Sequence, residues 1–136
     1  MRVSFTGTRR GMSAWQKQQL EAWLKKHEGQ VTVFVHGCCI GADLEAHKIV
    51  RAIFGKRILI ACFPSNAETR GEIPSDADYV APRKPPLERN EDIVNWGCDQ
   101  LLAAPLQMQE IRRSGTWAAI RYAGRKKVKV EIMWRD

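Results

Sequence analysis

The sequence predicts an α/β fold, a Rossmann-like parallel sheet of five to six strands with helices on both faces. Two observations carry this prediction. Short apolar runs alternate along the chain with stretches of helical spacing, and parallel neighbours need such crossovers, which are nearly always right-handed. Strand after strand also runs into a loop bearing Gly, Ser, Thr or Arg before the next helix. In open sheets of this kind the ligand crevice lies beyond the carboxyl ends of the strands.

Val3 to Phe5 is an apolar run ending in Thr6-Gly7-Thr8, which reads as a buried strand entering a tight loop. Ser13 is a natural N-cap for a helix that carries Trp15, Gln18, Gln19, Leu20, Trp23 and Leu24 and stops near His27 to Gly29. On that spacing Trp15 and Trp23 belong to the core stripe. Val31 to Val35 is β-branched and meets His36-Gly37, predicting a second strand. Ala42 to Phe54 restores helical spacing through Leu44, Ile49, Val50 and Ile53, with Gly55 as its stop. Arg57 to Phe63 reads as a third strand, closed by Pro64. Residues 64 to 90 hold five of the six prolines and only one short strand-like piece, Tyr79-Val80-Ala81. A helix over Glu88 to Gly97, a strand over Gln100 to Ala104, a helix over Ser114 to Gly124 and an alternating strand over Lys127 to Trp134 complete the series.

At 136 residues, 44% of them hydrophobic and 27% charged, the chain suits one domain spanning 1-136 with an ordinary core. No stretch approaches the roughly 20 apolar residues of a membrane span, and the opening Met-Arg-Val-Ser-Phe-Thr-Gly is no secretory signal, so a cytoplasmic protein without a membrane partner is expected. Cys38, Cys39, Cys62 and Cys98 lack paired Cys-x-x-Cys spacing; buried reduced thiols, with no metal and no cofactor, are the expectation. The net charge of +7 favours anionic partners. Much of it sits in Arg112, Arg113, Arg121, Arg125, Lys126, Lys127 and Lys129, either a solvated helix face and edge strand or a nucleic-acid surface.

Four junctions carry candidate ligand chemistry. In Thr6-Gly7-Thr8-Arg9-Arg10-Gly11, amides and hydroxyls suit a phosphate with Arg9 or Arg10 as a clamp. In His36-Gly37-Cys38-Cys39-Ile40-Gly41-Ala42-Asp43, Gly37 and Gly41 let backbone approach a ligand, and Asp43 either accepts from a ribose hydroxyl or only stabilises its helix start. This is neither the G-x-G-x-x-G of dinucleotide folds nor a P-loop, and His36 and His47 read as structural. Arg89-Asn90 at a helix start suits phosphate or base recognition, or a surface arginine beside a capping residue. Ser114-Gly115-Thr116 again presents amides and hydroxyls at a helix start. No one of these motifs is specific, but one sheet edge would gather all four.

Taken in order, Phe5-Thr6-Gly7-Thr8-Arg9, His36-Gly37 with Gly41-Ala42-Asp43, Arg89-Asn90 and Ser114-Gly115-Thr116 resemble the SLOG superfamily across nearly the whole chain. That group includes Lonely-Guy-type nucleotide phosphoribohydrolases, the DNA-processing protein of natural transformation and several nucleotide-sensing domains, all Rossmann-like. The resemblance implies that Gly7, Thr8, Arg9, Gly37, Gly41, Arg89, Gly115 and Thr116 line a ligand site. Lonely-Guy-type enzymes carry Pro-Gly-Gly-x-Gly-Thr followed by a catalytic glutamate. Here Arg113-Ser114-Gly115-Thr116-Trp117-Ala118-Ala119 lacks the paired glycines and has alanine where that carboxylate would stand. Cleaving an N-glycosidic bond needs a carboxylate to steady oxocarbenium-like charge or activate water; Asp43, Glu45 and Glu91 are the substitutes to weigh.

The function expected from these readings is binding of a phosphate-bearing nucleotide or nucleotide derivative, as a sensor or sequestering module. A nucleotide-processing hydrolase or transferase is the alternative, and a single-stranded DNA-binding protein the second alternative. A small-molecule nucleotide is the expected partner, with nucleic acid and a second copy of the chain as further candidates.

Overall fold

The computed structural model describes residues 1–67, 71–112 and 114–136. Its elements are β1 (Arg2–Gly7), α1 (Ala14–Lys26), β2 (Val33–His36), α2 (Ala42–Phe54), β3 (Leu59–Cys62), β4 (Tyr79–Val80), α3 (Pro86–Trp96), β5 (Gln100–Ala104), α4 (Gly115–Arg125) and β6 (Val130–Ile132). The strands form one sheet in the order β4-β3-β2-β1-β5-β6, and every pairing is parallel. Helices cover both faces, as the alternation predicts.

Strand pleating sorts the core into layers. Ile60 and Cys62 of β3 join Val3, Phe5 and Phe34 beneath Leu20 and Leu24 of α1 and Val50 of α2. Their neighbours Ala61 and Phe63 point the other way, with Val35, onto Ile93 of α3, and Leu101 meets Ala119 and Ala123 of α4.

Ser13 caps α1 in a full capping box with Gln16. The helix is turned differently from its predicted stripe, because its buried residues are Gln16, Leu20 and Leu24. Gln16 Nε2 donates to Pro105 O at 2.8 Å and Met133 O at 3.0 Å, pulling its position inward. A neighbouring residue on a helix lies about 100° away, so Trp15 is not core and is 49% exposed; Trp23 packs partly against the core. The thiols also need correction. Cys38 and Cys62 are buried, Cys39 is half-buried, and Cys98 in the turn from α3 to β5 is exposed; all four are free.

The outer strand β4 is held by Asp78, which accepts from Ile60 N at 2.8 Å and Arg51 Nη2 at 2.6 Å. Burial pushes the Asp78 carboxyl up, but bonds from Arg51 and the Ile60 N–H outweigh it and hold the group down to about 2. A carboxyl whose folded value is depressed contributes stability above its unfolded value and loses it as pH falls through the folded one. Asp78→Asn therefore lowers the thermal midpoint at pH 7, and the gap to wild type closes between the ordinary value of 3.8 and about pH 2. Melting curves across that range check this.

The chain steps outward from β1 to β4, then crosses back to lay β5 on the other side of β1. Strand order thus reverses between β1 and β5, the position at which an open α/β sheet leaves a crevice.

Candidate functional site

A cleft of about 510 Å³ opens at that reversal, floored by Phe5, Thr6 and Gly7 at the end of β1. The four junctions named from the sequence meet here: Thr8, Arg9 and Arg10 from the first, Asp43 from the second, Arg89 and Asn90 from the third, and Ser114, Gly115 and Thr116 from the fourth all line it. The parallel sheet is the reason, since each strand delivers its carboxyl end to the same edge.

Thr8 is the hinge of the first loop. Its N–H donates to Ala104 O at 3.0 Å, and its carbonyl accepts from Gly11 N at 3.1 Å and Ala42 N at 3.0 Å, tying β1, β5 and the start of α2 together. Its Oγ1 accepts the Arg10 N–H at 3.2 Å. Arg9 and Arg10 are exposed at the rim, so two cations stand at the mouth.

Gly37 and Gly41 are not in the cleft wall; they are glycines for packing reasons. A Cβ on Gly37 would lie 2.6 Å from Arg89 Nη1, and one on Gly41, at φ +94, would lie 2.3 Å from Arg9 O. Gly7 is also tight, its Cβ position falling 2.5 Å from Ala42 Cβ. Gly115 is the opposite case, with only Asn90 Nδ2 at 4.0 Å, so it leaves open space across the cleft.

Arg89 is buried, which removes the alternative of a surface arginine beside a capping residue. Its Nη1 donates to Gly37 O at 2.8 Å and Phe63 O at 3.3 Å, its Nε to Asn90 Oδ1 at 3.0 Å, and its Nη2 to Cys39 Sγ at 3.4 Å. Asp43 Oδ2 accepts the N–H groups of Gly37 and Cys39, each at 3.2 Å. Arginine and aspartate thus grip the two polar groups of one peptide unit's residue, Gly37, from opposite sides. Asp43 Oδ1 is buried with no partner among the described residues.

Burial raises the Asp43 carboxyl above its ordinary 3.8, opposed by His36, Arg89 and the two amides. Burial and Asp43 likewise push the Cys39 thiol up to about 11, against the pull of Arg89. At neutral pH Cys39 is a thiol, not a thiolate nucleophile. Asp43 is the one carboxylate in the wall among the described residues. Glu45 is committed elsewhere, accepting Met12 N at 2.6 Å and pairing with Lys17 at 3.2 Å, and Glu91 lines a separate groove between α3 and α4.

Sequence reasoning missed Ser65, Gln107, Leu106 and Ile111, which also line the cleft. Ser65 follows the third strand, so the rule about strand ends points to it. The other three lie in the loop after β5, where Leu106, Gln107 and Ile111 form no motif. Arg113, named in the sequence motif, lies outside the described residues.

Compared with protein families and with curated proteins, the chain matches none of them.

Proposed function

We propose that the cleft binds a phosphate-bearing nucleotide or nucleotide derivative, and that the chain is a sensor or sequestering module with SLOG-type loops. The observation that carries this reading is convergence: three arginines, Arg9, Arg10 and Arg89, two helix starts and one buried carboxyl share a single cleft. Its volume falls in the range of ordinary small-molecule sites. Amides at the start of α4 and the rim arginines favour an anion, while Asp43, with Oδ1 unpartnered, suits a ribose hydroxyl.

The experiment is a thermal-midpoint series with nucleotides, NAD, ADP-ribose, inorganic phosphate and short single-stranded DNA. A ligand at about 100 times its dissociation constant stabilises by roughly 2.7 kcal/mol. Stabilisation by one or more nucleotides is expected, and it disappears in Arg9→Ala and in Gly115→Leu, which fills the open side of the cleft. No shift with any nucleotide, or one that survives both substitutions, overturns the reading. Stabilisation by DNA alone that falls steeply with salt would move the function to nucleic-acid binding.

A second reading has its own observation. A buried carboxyl with a raised pKa in a cleft is the equipment of a general acid or base, so Asp43 supports hydrolysis of a nucleotide N-glycosidic bond despite Ala118 and Ala119 in the fourth motif. Chromatography of the same nucleotides after incubation separates turnover from binding.

A further inference from the structure

Behind the second loop, on the opposite side of the sheet from Arg89, lies a cluster that neither the fold's core nor the cleft uses for its polar chemistry. His36 ends β2, His47 lies on α2 and Cys62 ends β3, all three buried, with a ligating atom of each within 4.8 Å of the others. His36 Nε2 stands 2.8 Å from His47 Nδ1 and 3.4 Å from Cys62 Sγ. Cys38, also buried, is tied to the cluster through its backbone, its N–H donating to His36 Nδ1 at 3.1 Å. Two imidazoles and a thiol therefore converge inside a protein whose sequence spacing, 36, 47 and 62, hides them.

We propose that His36, His47 and Cys62 form a binding site for a zinc-class divalent cation, leaving one tetrahedral position for water. Tetrahedral zinc, with bonds of about 2.0 Å to nitrogen and 2.3 Å to sulfur, separates its ligands by about 3.3 Å for two nitrogens and about 3.5 Å for nitrogen and sulfur. The nitrogen–sulfur distance already fits, and the two rings need to part by roughly 0.5 Å. The positive charge is opposed too, by the Cys62 thiolate and by the Asp76 carboxylate held against His47 at 2.6 Å.

Hydrogen-bond direction fixes the proton bookkeeping. His36 Nδ1 accepts the Cys38 N–H at 3.1 Å, so the His36 proton sits on Nε2 and points at His47 Nδ1. His47 then carries its own proton on Nε2, donated to Asp76 Oδ1 at 2.6 Å. Histidine backed by a carboxylate is the usual outer support of a metal-binding imidazole. On ligation the Cys62 thiol proton leaves to solvent. The ring proton between the histidines moves to His36 Nδ1 as the Cys38 peptide, held in the left-handed region at φ 55, turns away. Asp76, with a side chain 46% exposed, marks the way in from solvent.

The test uses the full chain, reduced and stripped with a chelator, then titrated with cobalt(II). One equivalent is expected to give tetrahedral visible bands and a thiolate-to-cobalt charge-transfer band, both removed by added zinc. Cys62→Ser and His47→Asn abolish them. Asp76→Asn, at a half-exposed position that leaves every ligand in place, weakens cobalt binding about 10- to 100-fold. Absence of the charge-transfer band in wild type, its survival in both ligand variants, or undiminished affinity in Asp76→Asn each overturns the site.

Discussion

Gly41→Ala lowers the thermal midpoint by about 10 °C and abolishes ligand-induced stabilisation, the first of the two largest effects expected of a single substitution here. Gly41 has φ +94 and ψ −121, a conformation that costs a residue with a side chain about 1 to 3 kcal/mol. The steric part is added to that, because the new Cβ would sit 2.3 Å from Arg9 O and 2.8 Å from Gly11 N, both backbone atoms. Relief requires the first and second loops to part, which breaks the Ala42 N–H to Thr8 O bond and moves Arg9 away from the mouth. Gly29→Ala is the control: its φ is +86 but its Cβ position meets nothing within 4 Å, so it shows the conformational cost alone, near 1 kcal/mol. Equal midpoints for the two variants in calorimetry would mean that the loop contact contributes nothing.

The contrast between these glycines shows what was readable in the sequence and what was not. Glycine at 37 and 41 is visible as a signal, but its cause is not: the sequence suggests room for a ligand, whereas the crowding comes from Arg89 and Arg9, partners 52 and 32 positions away. The limits of α2 and β5 were legible to the residue because Gly41 and Gly55 bracket one and Asp99 and Pro105 bracket the other. β3 is shorter than its apolar run, since Arg57 turns back to bond Phe54 O and Ile53 O at the end of α2. The meeting of the four junctions followed from topology, for a parallel sheet leaves the strand ends no other edge. The orientation of α1 did not, because it depends on Gln16 reaching the carbonyls of Pro105 and Met133. The buried His36, His47 and Cys62 cluster was out of reach for the same reason: its members come from three elements, and periodicity describes one element at a time.

Arg89→Met is expected to cost about 3 kcal/mol, since each buried acceptor it leaves unsatisfied costs about 1–3 kcal/mol, and so to lower the midpoint by about 10 °C. Methionine fills much of the same volume, so the loss reports polar chemistry. The Gly37 and Phe63 carbonyls lose the Nη1 donor, and the Asp43 carboxyl loses the guanidinium that opposes its desolvation. The pH dependence follows from the sign of that change. The Asp43 carboxyl is already raised by burial, and without the guanidinium it rises further. A carboxyl raised in the folded state favours folding fully below its unfolded value and loses that contribution as pH climbs through the folded value. The deficit of Arg89→Met is therefore greatest at neutral and alkaline pH and narrows on acidification towards the ordinary 3.8. Adding Asp43→Asn removes the uncompensated charge, and the double variant should be more stable than Arg89→Met alone at pH 7, a coupling within the 0.5–3 kcal/mol typical of interacting sites. A deficit that stays constant with pH and adds to that of Asp43→Asn would assign the work of Arg89 to its carbonyl bonds and none of it to the charge.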